Sequence, residues 1–498
     1  MSFTEHLIFF PVLLPMLAGI LLLLPGFHAH ITRQRLLGLA VNIGLILSAI
    51  ALLQQSLQQS QMYMMGNWQA PFGIALVNDK LTAVMLLLSA ILGTATHMYA
   101  SGGDDKRGPF FHPLFMFQLM GINGAFLTAD IFNLFVFFEI LLIASYSLLI
   151  HGGGKQRTQA AVHYVLLNLT GSAFFLIGLA VIYAAFGTLN LADMAYKAAT
   201  LDESNRQLAQ AGGLLLLVVF GLKAALLPLH FWLPRTYAYT SAPVAALFAI
   251  MTKVGIYSIW RVHTAVFGDY AGPLANIADG WLWPLGWLTL VAGIIAVLAS
   301  NTLKLLVANL VVVSAGTLLL MLAQNEIAAT AAALYYLLHS TLMAAALFLL
   351  AGMITAQRGQ AQDRFVKSRP LVQHGLLGSL FVIAAVAMIG LPPLSGFVGK
   401  ILLLQASVEN AGWVWVPVLL SGLAAMVILT RAGTSIFWRV QGVAHVADKA
   451  SPLQVLAVVL LLAMSPLMVV FGGPLTELTM AAAEQLHQAP VAIAEVRP

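Results

Sequence analysis

The sequence predicts an all-α polytopic membrane protein with about 14 transmembrane helices. Of its 498 residues, 60% are hydrophobic and only 8% are charged, whereas soluble domains carry roughly 25% charged residues. About fourteen apolar stretches have the length, roughly 20 residues, that a helix needs to cross a bilayer. The connections between them are short, so residues 1–498 are predicted to form a single membrane domain.

The apolar stretches follow one another along the whole chain. Residues 6–25 are predicted to be a first span and not a signal peptide, because the segment has no basic start, follows Glu5 and shows no small-residue cleavage site. Residues 56–78 are strand-like and predict a small hairpin outside the bilayer. The predicted spans are 6–25, 36–53, 79–100, 110–129, 131–150, 161–186, 211–230, 241–262, 278–299, 303–323, 328–353, 375–405, 412–438 and 453–473.

Lysine and arginine are distributed unequally between the two sets of loops. Fourteen of them fall in the loops of one side and four in the loops of the other. Cytoplasmic loops of membrane proteins are enriched in these residues, so both termini are predicted to lie outside. An even number of spans agrees with this orientation.

The composition excludes several kinds of chemistry. The chain contains no cysteine, which excludes disulfides, thiolate metal sites and cysteine nucleophiles. It also lacks a Walker-type phosphate loop, a GxGxxG motif after a strand and an HExxH zinc motif. No cofactor and no metal site are therefore predicted, and any redox or ATP-driven step would belong to another protein.

Five titratable side chains interrupt apolar spans. Glu139 lies in the middle of the fifth predicted span, Lys223 in the seventh, Lys253 in the eighth, His339 in the eleventh and Lys400 in the twelfth. A charge at the bilayer centre costs roughly 2.5–3.5 kcal/mol on insertion scales, so such residues usually have a function. Lys223 is the best candidate partner for Glu139, because a lone carboxylate in an apolar span would otherwise protonate.

Proline breaks two of the spans that carry a lysine. The stretch GLKAALLPLHFWLP contains Lys223 and Pro228, and the stretch GLPPLSGFVGK contains Pro392 and Pro393 and ends at Lys400. Proline removes a helical hydrogen bond, and broken helices occur at membrane depth where the chain lines a cavity or a wet path. Two such helices indicate two related halves, an arrangement that places ion sites near the membrane midplane in transporters.

These features together predict a proton relay along the membrane. Glu139 and Lys223 would form the switching pair, and Lys253 and His339 would connect it to Lys400, with water molecules filling the gaps. Simpler interpretations remain open. Lys253 and Lys400 could extend to the membrane surface, Glu139 and Lys223 could form an inert ion pair, and His339 could only bind a neighbouring carbonyl.

Three motifs resemble those of a known family. They are FFEILLIASYSLL around Glu139, GLKAALLPLHFWLP around Lys223 and GLPPLSGFVGK ending at Lys400. The chain resembles, over nearly its whole length, the antiporter-like membrane subunits shared by respiratory complex I, membrane-bound hydrogenases and Mrp-type (Pha or Mnh) multisubunit cation/proton antiporters. Lys400 and the segment RAGTSIFWR are similar to the D-type subunits of the Mrp antiporters.

The resemblance implies a specific architecture and function. It implies two inverted five-helix units, 110–262 and 278–438, in which the seventh and twelfth helices are broken. It implies that the matching Glu139, Lys223, Lys253 and Lys400 carry protons in a sodium or potassium/proton antiporter of a bacterial cell membrane, assembled with other membrane subunits and without nucleic acid. Many relatives place a lysine near Ala344, so the second half of the relay would depend on His339.

Two other functions stay open at this point. One is a proton-pumping subunit of a redox complex, which neighbouring genes for quinone or hydrogenase subunits would indicate. The other is a structural scaffold that holds partner subunits without conducting protons, and such a scaffold should tolerate Lys223→Ala without losing transport.

Overall fold

The computed structural model describes residues 6–70, 72–444 and 449–488. Within these ranges the chain is a bundle of helices with one short hairpin. The helices are α1 (Phe10–Leu23), α2 (Pro25–His28), α3 (Ile31–Gln58), α4 (Lys80–Ser101), α5 (Phe111–Leu127), α6 (Ile131–Leu149), α7 (Lys155–Phe186), α8 (Leu191–Ala198), α9 (Glu203–Lys223), α10 (Trp232–Tyr239), α11 (Ala242–Phe248), α12 (Met251–Ile259), α13 (Asp279–Leu298), α14 (Leu303–Leu322), α15 (Ile327–Gln357), α16 (His374–Ile389), α17 (Ser395–Gln405), α18 (Ala411–Gly433), α19 (Pro452–Val470) and α20 (Gly472–His487).

The predicted all-α membrane fold is confirmed. Every predicted span coincides with a helix or a broken helix in the described part of the chain. Among the described residues, ten helical segments are by themselves long and apolar enough to cross a membrane, and shorter apolar helices accompany them, so the count of 14 stays a prediction. The sequence did not predict α20, which packs on α15. Both termini, whose side of the membrane was predicted, lie outside the described residues, as does Glu5.

The predicted hairpin is present between α3 and α4. Its strands are β1 (Gln61–Met64) and β2 (Ala75–Asn78), which pair antiparallel with Gln61 opposite Asn78. The side-chain amide of Asn78 donates to the carbonyl oxygen of Leu52 at 3.0 Å, which holds the hairpin against the end of α3. The hairpin satisfies its own backbone groups outside the helices, as a connection at a membrane surface must.

Three buried helical segments form the centre of the molecule. They are α14, α15 and the segment Ala242–Thr264, in which π-helix continues α12. Small residues allow close approach here: an added Cβ at Gly316 on α14 would lie 2.6 Å from the backbone nitrogen of Leu290 on α13. Since these helices are surrounded by protein, a polar side chain within them needs a partner on a neighbouring helix.

The break predicted at Pro228 is observed directly after Lys223. Helix α9 ends at Lys223, and Ala225 leaves the helical conformation with a φ of +59°. The backbone nitrogen of Leu227 then donates to Thr289 Oγ1 at 2.9 Å, and the Trp232 indole donates to the carbonyl oxygen of Leu222 at 3.1 Å. Side chains thereby satisfy the backbone groups that the break frees, as a break at membrane depth requires.

The second break, predicted at Pro392 and Pro393, separates α16 from α17. Helix α16 ends at Ile389, and Gly390 adopts a φ of +84°. The ammonium of Lys400 donates to the carbonyl oxygen of Ile389 at 2.6 Å. Lys400 therefore places its charge at the carboxyl end of α16, where a cation is stabilised by the helix dipole.

Candidate functional site

Glu139 and Lys223 are linked through one face of α7. Ser172 Oγ hydrogen bonds to Glu139 Oε1, and Lys223 Nζ donates to Asn168 Oδ1 at 3.2 Å. Asn168 and Ser172 lie one helical turn apart, and Ser172 Oγ is 3.0 Å from the carbonyl oxygen of Asn168. Among the described residues, the carboxylate and the ammonium form no direct ion pair within 4.0 Å. The predicted pair is therefore connected through four residues, Glu139, Ser172, Asn168 and Lys223, and the contact between Ser172 and Asn168 runs through the Asn168 backbone carbonyl.

Lys223 has few polar partners. Its residue surface is only 4% exposed, and its ammonium lies 5.8 Å from the centre of the Phe138 ring. Gly171 on α7 lets the neighbouring Leu222 pack closely, since an added Cβ there would lie 2.5 Å from Leu222 Cδ2. The carboxylate of Glu139 is connected to this ammonium through Ser172 and Asn168. A desolvated ammonium of this kind depends on nearby charges, so a change at Glu139 changes the stability of the charge on Lys223.

Lys253 lies near the middle of the buried segment Ala242–Thr264. It is 1% exposed, and its ammonium donates to Ser314 Oγ on α14 at 2.8 Å and to Thr252 Oγ1 at 3.3 Å. Its ammonium therefore ends on another helix inside the protein. The alternative in which Lys253 extends to the membrane surface is wrong, and its role in proton transfer stays a prediction.

His339 lies beside the second break. Its Nδ1 atom is 2.8 Å from Ser395 Oγ at the start of α17, and that hydroxyl is 2.8 Å from Ser465 Oγ on α19. The partner of His339 is thus a hydroxyl in a buried polar chain and not the neighbouring carbonyl of the simpler interpretation. Ala344, at the place where many relatives have a lysine, is buried in α15. Because alanine has no titratable group, this position cannot carry a proton.

Lys400 completes this second group. Besides its bond to Ile389, its ammonium fills a space on α18 left by Gly422, where an added Cβ would lie 2.5 Å from Nζ. The ammonium therefore points into the protein and does not extend to the membrane surface.

The five predicted residues thus fall into three places. Glu139 and Lys223 meet on α7, His339 and Lys400 meet at the second break, and Lys253 lies on α12 against α14. No hydrogen bond between the described residues connects the three places directly. Proton transfer between them would need water or side-chain movement.

A family profile shows which proteins this chain is related to. The profile described as NADH:quinone oxidoreductase/Mrp antiporter, TM matches residues 128–428. The chain belongs to this family. All five predicted residues lie in the matched region, whereas α1 to α5 precede it.

Similar proteins extend this relationship to nearly the whole chain. The chain is 39% identical to the D-type subunit of a probable K(+)/H(+) antiporter from Rhizobium meliloti, over 97% of this chain and 96% of that protein. It is 34% identical to the D-type subunit of a Na(+)/H(+) antiporter from Alkalihalophilus pseudofirmus, over 90% of each. A chain of the Mrp complex from Dietzia sp. DQ12-45-1b has the same fold, with a TM-score of 0.88, 24% identity and full coverage of both chains.

A buried charged cluster outside the family match was not predicted from the sequence. Arg35 donates to both carboxylate oxygens of Asp105 at 2.7 Å. His112 Nε2 lies 3.0 Å from the same carboxylate, and His112 Nδ1 lies 3.2 Å from His97 Nε2. If His112 donates to the carboxylate, its Nδ1 accepts from His97. Only the stretch GDDKRGPFFH, with two acids near a histidine, signalled this cluster in the sequence.

The Asp105 carboxyl gives this cluster a defined pH dependence. Burial alone would raise the pKa of Asp105, but hydrogen bonds from Arg35 and His112 lower it from 3.8 to about 2. Because the pKa is lower in the folded state, ionised Asp105 stabilises the fold at pH values above 3.8, and this stabilisation is lost as the pH falls from 3.8 towards 2.

We expect Asp105→Asn to lower the unfolding temperature at neutral pH, with the difference from wild type shrinking below pH 3.8. Glu203→Gln, at an exposed position, is the control and should change neither the unfolding temperature nor its pH dependence. If the unfolding temperatures of Asp105→Asn and wild type differed by the same amount at every pH, the stabilising role of the ionised Asp105 carboxylate would be contradicted.

Proposed function

We propose that this chain is the proton-translocating subunit of a multisubunit sodium or potassium/proton antiporter in a bacterial cell membrane. The chain from Glu139 through Ser172 and Asn168 to Lys223 is the observation that carries the proposal. The names of the relatives, which describe D-type subunits of cation/proton antiporters, support it. The chain would act as a transporter subunit and not as a classical enzyme, with other membrane subunits as partners. Both of its termini would lie outside.

Ser172 would transmit the protonation state of Glu139. With Glu139 ionised, the Ser172 hydroxyl donates to the carboxylate. With Glu139 protonated, the carboxyl donates to Ser172 Oγ, and the hydroxyl hydrogen turns to the carbonyl oxygen of Asn168. Lys223 binds the side chain of the same Asn168 and responds to the charge of Glu139. Protonation of Glu139 would therefore favour release of the proton on Lys223.

The released proton would pass to the second half of the chain. Residues 110–262 and 278–438 would form two inverted units, each with one broken helix and one lysine at the break. Lys253, on the last helix of the first unit, would receive the proton and pass it through His339 to Lys400. Moving one charge through 100 mV changes the free energy by about 2.3 kcal/mol, so an ordinary membrane potential can drive such transfers.

The variant Glu139→Gln tests this function. Glutamine retains an oxygen for Ser172 but cannot take up a proton, so cation-dependent proton exchange in everted vesicles should fall about 100-fold, the scale on which a positioned proton-transfer group contributes. The rate is measured by dissipation of a pH gradient after addition of NaCl or KCl. Glu409→Gln, at an exposed position, is the matched control. Wild-type exchange by an assembled Glu139→Gln complex would refute the proposal.

A redox-driven proton pump is the second candidate, because the family description includes NADH:quinone oxidoreductase subunits. The chain contains no cysteine, so an iron–sulfur centre would have to lie in a partner. Exchange that requires only a cation gradient would favour the antiporter, and exchange that requires an electron donor would favour the pump.

A further inference from the structure

A polar cavity of about 320 Å³ lies at the cation-rich end of the bundle, apart from the proposed proton relay. Its walls come from the end of α4, the loop after it, the first turns of α7, α14 and α19, and the end of α15. The cavity is therefore enclosed by elements from both ends of the sequence. Its volume is at the lower end of the range for small-molecule sites.

The charges around this cavity are mainly positive. Arg107, Arg157, Lys304 and Lys449 line it, and Asp104 is the one acid among its described lining residues. Arg107 pairs with Asp104 at 3.1 Å, and Arg157 donates to the backbone carbonyl oxygens of Tyr239 and His151. The side chains of the other two lining cations, Lys304 and Lys449, bind no described residue. Burial raises the pKa of the Asp104 carboxyl, and the surrounding cations oppose this effect. An anion in the cavity would relieve the repulsion between these cations.

A buried hydroxyl on the cavity wall lacks a partner. Ser241 is 2% exposed, its Oγ has no hydrogen bond in the described part of the chain, and it lines the cavity. A buried polar group without a partner costs about 1–3 kcal/mol, so such groups are usually satisfied by a ligand or water. The Ser241 hydroxyl is thus available to donate to a bound acceptor.

The N-terminus of helix α19 adds to the positive potential. Helix α19 begins at Pro452 with Ser451 as its cap, and Ser451 and Gln454 line the cavity. The N-terminus of helix α14 is already occupied, because the backbone nitrogen of Lys304 donates to Asp363 Oδ2 at 2.7 Å. The N-terminal end of a helix carries roughly half a positive charge and stabilises anions. One helix end, several cations and an unpaired hydroxyl therefore lie around the same cavity.

We propose that this cavity binds a phosphate group. Phosphate carries a charge of about −1.5 to −2 near neutral pH and several acceptor oxygens, which matches the unpaired ammonium groups of Lys304 and Lys449 and a free hydroxyl donor. The group could come from free phosphate or from the headgroup of an anionic phospholipid, because basic pockets near the cytoplasmic membrane surface recognise such headgroups. A headgroup phosphodiester has a smaller negative charge and fewer free oxygens than inorganic phosphate, but either group would present phosphate oxygens to Lys304 and Ser241.

The test uses the purified, assembled complex in lipid nanodiscs. In one arm, nanodiscs of phosphatidylcholine are titrated with inorganic phosphate at constant ionic strength. In the other, phosphatidylglycerol replaces part of the phosphatidylcholine and phosphate is absent. We expect a saturable rise in unfolding temperature in at least one arm. We expect Lys304→Gln to raise the phosphate or lipid concentration at half-saturation about tenfold or more, since a charged hydrogen bond is lost.

Two further variants control the experiment. Ser241→Ala removes the unpaired hydroxyl without breaking any hydrogen bond between described residues, and it should weaken binding several-fold even if Lys304→Gln fails to assemble. Lys367→Gln, at an exposed position outside the cavity, should leave binding unchanged. A response in the phosphate arm identifies free phosphate, and a response in the lipid arm alone identifies a headgroup. No saturable response in either arm, or one that both cavity variants leave unchanged, would overturn the proposal, and neither result bears on cation exchange.

Discussion

Replacing Lys223 with alanine is expected to lower cation-dependent proton exchange about 100-fold in everted vesicles, the scale expected for a positioned proton-transfer group. Lys223 is the titratable end of the chain that begins at Glu139, and alanine removes the group that would accept and release the proton. Assembly should survive, because the hydrogen bond that is lost runs to the neutral side chain of Asn168. Quenching of a pH-sensitive dye after addition of NaCl or KCl measures the exchange rate.

Two further substitutions separate proton transfer from packing. Lys223→Met preserves much of the side-chain volume and should be as inactive as the alanine variant. Lys223→Arg keeps a positive charge but cannot deprotonate, so it should also fail. Lys155→Ala, at the exposed start of α7, should exchange protons at the wild-type rate. Activity of Lys223→Arg near the wild-type rate would mean that Lys223 supplies only a fixed charge.

The proton-carrying residues could be predicted from the sequence because charges in apolar spans are costly and therefore conspicuous. The residues that hydrogen bond to them could not be predicted. Asn168 and Ser172 look like ordinary small polar residues of a packed helix, and only the structure shows that they face Glu139 and Lys223. Proline made both helix breaks predictable, whereas the bond from Lys400 to Ile389 depends on how the chain turns between them.

The partners of charged residues near the ends of spans could not be predicted from the sequence. Arg261 and Asp79 lie near the ends of predicted spans, and the sequence assigns neither of them a partner. Arg261 is 8% exposed, and its guanidinium donates to both carboxylate oxygens of Asp79 at 2.6 Å, a pairing across 182 residues of sequence. No local pattern reports a contact at that distance along the chain. The same limit hid the bond between Arg35 and Asp105.

The pair of Asp79 and Arg261 fixes one end of the helix that carries Lys253. Arg261 also donates to Tyr257 and to Thr82, and Asp79 accepts from the backbone nitrogen of Thr82 at the start of α4. These bonds join α4 to the segment Ala242–Thr264. Because the pair is buried, each charge depends on the other, and removing one leaves the other without compensation.

We therefore expect Arg261→Met to destabilise the protein by about 3–5 kcal/mol, the range for breaking a buried ion pair from one side. Unfolding in a graded denaturing detergent measures the change. The double variant Asp79→Asn with Arg261→Met should recover part of the loss, because no unpaired carboxylate then remains buried. Arg369→Met, at an exposed position, should alter stability by less than about 0.5 kcal/mol. If the single and double variants were equally unstable, packing by the arginine side chain, and not its charge, would be what secures this end of the helix.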